Sequence, residues 1–161
     1  MYKHYQHIYM KLATALSERS DIQKRLASLN SRLRNNARVQ EGEVPSENPD
    51  SLLQELDTCI ARLEELVTKI NLTNASTIVD GESLTAKLSR RDALQQKVTT
   101  MRSFLDEAGN LAGRATRSEI KIKSTVPVAE LQKKVDAMSK ELRLLDERIQ
   151  ESNWTTELIE D

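Results

Sequence analysis

The sequence predicts a mainly α-helical protein, an antiparallel helical bundle with coiled-coil packing and one short β excursion at about residues 117–125. Three observations predict it. Aromatics are only 3% of the 161 residues, with four glycines and three prolines, too few for a sandwich or barrel. Apolar residues supply 38% and charged residues 30%, the mixture that long helices with narrow apolar stripes use. The apolar residues recur at steps of three and four along four long stretches.

The first helix is expected over residues 11–39, with Leu12, Leu16, Ile22, Leu26, Leu29 and Leu33 on one side. The breaker-rich loop "EGEVPSENPD" ends it. The second starts at Asp50 or Ser51. Its stripe of Leu53, Leu56, Ile60, Leu63, Val67 and Ile70 reads as a heptad seam. It should stop near "NLTNASTIVDGESL", with Asn71, Thr73 and Asn74 ending it, because Asn71, Thr73, Asn74, Ser76 and Thr77 prefer local bonds to their own backbone. Asp80-Gly81 forms a turn, and the third helix follows with Leu84, Leu88, Leu94, Val98, Met101 and Leu105. Its heptad breaks between Leu88 and Leu94, around Arg90, Arg91 and Asp92. Pro127 opens the fourth helix, since proline's missing N–H is not needed in a first turn. Its seam is Val128, Leu131, Val135, Met138, Leu142, Leu145 and Ile149.

Between the third and fourth helices, "ATRSEIKIKSTVPVAELQ" places Ile120 and Ile122 in alternation with charges. A lone strand cannot satisfy its own backbone. It pairs either with the weak candidate around Ile78–Val79 or with the same segment of a second chain, which leaves no open edge.

Twenty-four basic and 25 acidic residues leave a net charge of −1, so no field draws in nucleic acid or an anionic membrane. The basic run "GRATRSEIKIK" has no interleaved aromatic for base stacking. No apolar run reaches the roughly 20 residues of a membrane span, and no signal-peptide core precedes the helices. These features place the protein in the cytoplasm, with Cys59 a buried, reduced thiol. Residues 1–9 hold all three tyrosines and both histidines and read as a leader or misassigned start before a single helical domain at 10–161.

Enzyme signatures are lacking. There is no phosphate-binding glycine loop or H-E-x-x-H zinc motif, and no histidine after His7 to serve as base or ligand. No cofactor or metal is expected. The informative polar residues are Asn71, Asn74, Arg90, Arg91 and Asp92, with Arg117, Glu119 and Lys121 on the strand. Brought together, they form a lock that sets register or a pocket for a small polar or anionic ligand with arginine forks as donors. Ile120, Ile122 and Trp154 are the expected interface residues, Trp154 serving otherwise as a cap on the core.

The blocks "MKLATALSERSDIQKRLASLNSRLRNNARVQEGE", "NLTNAST", "LTAKLSRRD", "RSEIK" and "NWTTELIE" resemble a bacterial family of small helical proteins labelled septicolysin. The resemblance spans nearly the whole chain from Met10. It implies a mostly helical, oligomer-forming protein of undetermined molecular role. The leading expectation is a non-enzymatic homo-oligomer. The alternatives are an anionic-ligand binder using the arginine and asparagine cluster, and the membrane-active helical toxin that the family label suggests.

Overall fold

The computed structural model describes residues 9–111 and 121–160. The protein is mainly helical, with α1 (Leu12–Asn35), α2 (Pro49–Ser76), β1 (Ile78–Val79), β2 (Glu82–Ser83), α3 (Leu84–Gly109) and α4 (Val128–Thr155). Its contacts divide into two compact units, one of residues up to Val79 together with those from Ser152, the other Asp80–Glu151.

In the first unit, α1 and α2 form an antiparallel hairpin. Glu18 pairs with Arg62 at 2.7 Å, and Arg25 and Arg32 pair with Glu55, so rising numbers on one helix meet falling numbers on the other. The buried seam is Leu12, Ala15, Ile22 and Leu29 of α1 against Leu52, Cys59, Leu66, Ile70 and Thr73 of α2. Asn36 ends α1 earlier than expected. Its amide nitrogen donates to the Arg32 carbonyl at 2.9 Å, and its side-chain oxygen accepts from the Glu47 amide at 2.9 Å, which turns the chain. Arg32 also grips the Glu47 carboxylate. Asn48 then caps α2 through the Asp50 amide, with Pro49 in the first turn.

The far end of this hairpin is closed by the C-terminal segment. The Leu12 amide donates to the Thr156 carbonyl at 2.9 Å, and the Leu158 amide to the Met10 carbonyl at 2.8 Å. Thr73 accepts from the Ile159 amide at 3.0 Å, and Leu158 is buried.

The second unit is also an antiparallel hairpin, of α3 and α4. Arg102 donates to Ser139 at 2.8 Å and Arg91 pairs with Asp146 at 3.6 Å. Val98, Leu105 and Val135 form its core cluster, with Leu94, Met101, Val128, Leu131 and Met138 packed against them. The α4 seam is that expected, with Val135, Leu145 and Ile149 buried.

Three expectations need correction. The second helix ends within the expected stretch, but Asn71, Thr73 and Asn74 lie inside it and it runs on to Ser76. The Thr73 and Ser76 hydroxyls donate to carbonyls four residues back, at 2.7 and 2.8 Å, so their local bonding runs within the helix instead of ending it. The α2 seam is shifted: Leu53 and Ile60 lie outside it, and Leu52 and Cys59 inside. The α3 heptad is unbroken, because the buried Lys87 and half-buried Arg91 carry the three-four spacing from Leu84 to Leu94.

The small sheet is the antiparallel pair β1–β2, joined through Asp80 and Gly81. Both turn residues have positive φ, 52° and 83°, as a tight primed turn demands, and Asp-Gly suits it best. Of the strand expected at 117–125, residues 117–120 lie outside the described residues, and residues 121–125 are not in a strand. The leader expectation likewise falls almost wholly on residues 1–8, outside them.

Candidate functional site

Two features have the makings of a site: a polar network in the second unit and an uncovered apolar edge in the first. The network is centred on Lys87, whose position in the α3 seam leaves the residue 3% exposed. Burying an ammonium is costly unless carboxylates surround it. Asp80 and Glu82 do so, at 3.3 and 3.2 Å from Nζ, and both come from the turn and strand just before α3. Arg148 of α4 clamps Asp80 through Nε at 2.9 Å and Nη2 at 3.1 Å, and reaches Glu151 at 2.7 Å. Hydrogen bonds from Arg148, with Lys87 adding to them, hold the Asp80 carboxyl down at about 2. Arg90 closes the circuit on Glu82. The network fastens the turn to both helices, and every charge in it has a partner.

Of the expected site residues, Arg90, Arg91 and Asp92 lie in the second unit, and the carboxylates are already on their guanidiniums. Arg90 bonds Glu82, and Arg91 bonds Asp92 at 3.0 Å and faces Asp146. Asn71 and Asn74 stand on α2 in the first unit, Asn71 exposed and Asn74 half-buried. Arg117, Glu119 and Ile120 lie outside the described residues. Lys121 and Ile122 are exposed, and Ile122 borders a hollow of about 500 Å³ with Phe104 and Leu111. Trp154 is 66% exposed, so it does not cap a core. Among the described residues no group of three or more His, Cys, Asp or Glu residues is placed to hold a metal.

The apolar edge belongs to α2. Successive residues of a helix are turned by about 100°. Leu52 and Cys59 face α1, which puts Leu53 and Ile60 on one flank of the seam. Glu55 and Arg62, which hold α1 by ion pairs, stand on the other. Leu53 and Ile60 are each 47% exposed, and Val67, the next in the row, is half-buried.

The sequence comparison places this chain. It belongs to DUF6847, a family of unknown function whose model matches residues 19–158. A crystal structure described as a functionally unknown conserved protein from Corynebacterium diphtheriae is similar to it, with 43% identity, a TM-score of 0.89, and coverage of 94% of this chain and 99% of that one. No curated protein matches. Neither finding carries the septicolysin label, so the family that stands is DUF6847.

Sequence reasoning on this DUF6847 chain overlooked Lys87, Asp80 and Arg148. Lys87 was discoverable, since 84, 87, 91 and 94 keep the seam spacing once polar residues are admitted to it. The Asp80–Arg148 clamp had no signal, because the two are separated by 68 residues and meet only in the folded unit.

Proposed function

We propose that this DUF6847 protein is a non-enzymatic, cytoplasmic interaction protein that assembles with further copies of itself through helix packing. One observation carries the reading: Leu53 and Ile60 remain half-exposed at heptad spacing along the flank of an otherwise buried seam. Isolated exposed leucines are ordinary on a protein surface, but a seven-residue repeat of them on one helix edge is the pattern of a helix that packs twice. The non-enzymatic part rests on the sequence, with no nucleotide loop and no histidine beyond His7. Among the described residues no helix is long and apolar enough to cross a membrane, which lends the toxin alternative no support.

Light scattering after size exclusion tests this. The full chain at micromolar concentration should give a mass at a multiple of 18.3 kDa. The Leu53→Glu, Ile60→Glu double variant should give the single-chain mass with unchanged helicity, because both positions lie outside the seam. A wild-type monomer at high micromolar concentration sinks the reading.

A further inference from the structure

The uncovered edge of α2 is half of a wider face that α1 shares. The ion pairs of Glu18 with Arg62, and of Arg25 and Arg32 with Glu55, run along one face of the α1–α2 hairpin. The residue after each of these is turned by about 100°, across the seam to the opposite face. On α1 those residues are Arg19, Leu26 and Leu33, and on α2 they are Leu56 and Leu63, all half-buried. Leu16 stands beside them on α1, and Leu53, Ile60 and Val67 on α2. The face opposite the ion pairs is therefore largely apolar, with Leu53 and Ile60 the most open of these residues. Gln23 and Asn30, both exposed, and Arg19 are its polar members.

Charge divides this face by helix. Along α1, the face and its outer margin (Ala13, Ser20, Ala27 and Arg34) hold Arg19 and Arg34 and no acidic residue. Along α2, the face and its margin (Asp50, Asp57, Glu64 and Asn71) hold three acidic residues and no basic one. Arg19, Arg34, Asp57 and Glu64 have no ion-pair partner among the described residues. Arg19 is thus a half-buried guanidinium left unpaired on an apolar face, with the unpaired carboxylates on the neighbouring helix.

We infer that this face pairs with the same face of a second copy, about a two-fold axis running lengthwise along the hairpin, so that α1 of each copy lies over α2 of the other. This rests on the self-assembly reading above and specifies its contact. A lengthwise axis preserves height along the hairpin, where Glu18 is level with Arg62 and Arg25 with Glu55. Arg19 then comes between Asp57 and Glu64 of the other copy, about 6 and 4.5 Å from their levels along the axis. Leu16 comes over Leu63 and Val67, and Leu26 over Leu53 and Leu56. A crosswise two-fold in the same plane would lay α1 on α1 and α2 on α2, and would set the acidic row against its own copy. The lengthwise axis gives each acidic row a basic partner and closes at two copies. Charge selects the orientation, and the apolar surface supplies the affinity.

Charge reversal with complementation tests it. The wild type should have twice the mass of the 18.3 kDa chain in light scattering. Variant one is Arg19→Glu, and variant two is Asp57→Lys, Glu64→Lys. Circular dichroism checks that each keeps its helicity; if variant one loses it, Gln23→Glu, at an exposed position of the same face, takes its place, and Glu64→Lys alone does so for variant two. Each variant by itself is expected to assemble about tenfold more weakly, since like charges now meet in both halves of the contact. An equimolar mixture should regain the two-chain mass, because reversed α1 meets reversed α2 in one half and native meets native in the other. If the wild type assembles and either variant does so unchanged, or the mixture does not recover, the pairing of α1 with α2 is overturned. Recovery of variant two by wild type as full as by variant one points to α2 on α2 and overturns it as well. A wild-type assembly larger than two chains overturns the two-fold closure. A monomeric wild type removes the self-assembly reading and this inference together.

Discussion

Lys87 shows how one residue links sequence, packing and stability. It occupies a seam position where leucine is usual, and it is accepted there because Asp80 and Glu82 lie within 3.3 Å. Lys87→Ala should cost about 2–4 kcal/mol, from the lost packing of a long side chain and the two carboxylates left less compensated. Lys87→Met keeps the volume and should cost less; urea unfolding followed by circular dichroism measures both. Asp80 makes the same network sensitive to acid. Its folded carboxyl is held at about 2, below the ordinary 3.8, so its contribution is complete above about pH 4 and is lost as the pH falls toward 2. Asp80→Asn retains a residue that tolerates the positive φ of the turn. Its stability should therefore fall less between pH 4 and 2 than that of the wild type, in denaturant titrations at stepped pH.

At the scale of elements, the hairpins are fastened where their chains enter and leave. Thr73 sits in the α2 seam and bonds both ways, donating to the Lys69 carbonyl and accepting from the Ile159 amide. Thr73→Val keeps the shape and removes the acceptor, so the Ile159 amide should exchange with solvent markedly faster, with a stability loss of about 1 kcal/mol. Hydrogen exchange across residues 156–160 reads this directly. Lys69 should retain its grip on Glu160, at 3.2 Å, so the segment loosens at Ile159 before it detaches. Asn48 acts at the other end of α2. Asn48→Ala removes the bond to the Asp50 amide and should cost about 1 kcal/mol in thermal or urea unfolding, because the first turn then has an unsatisfied donor.

At the scale of the whole molecule, the expected activity is association, and its charge component can be read through salt. Screening shortens from about 10 Å at 0.1 M to about 3 Å at 1 M. A contact held by Leu53 and Ile60 should keep its apparent dissociation constant within a few-fold over that range, because burial of apolar surface is not screened by salt. Light scattering over a dilution series at both salt concentrations makes the comparison. An unchanged constant would mean that apolar packing alone holds the copies together.

The sequence by itself determined the helical class and the α4 seam. Those depend on local spacing: seven apolar residues at alternating steps of three and four leave one face for burial, and α4 uses that face. Composition likewise pointed away from β architectures, since aromatics and turn residues are too few. The tertiary structure decided what adjacency could not. On α2, Leu52 beside Leu53 and Cys59 beside Ile60 offer two seams one residue apart, both apolar. Neighbours turned by about 100° cannot both face α1. In the folded unit, Leu52 and Cys59 face inward while Arg62 meets Glu18, and Glu55 meets Arg25 and Arg32, along one flank. The same packing leaves Leu53 and Ile60 on the opposite flank, where the proposed contact lies. Asp80 and Arg148 were equally beyond local reading, because a clamp across 68 residues exists only when α3 and α4 fold back on each other.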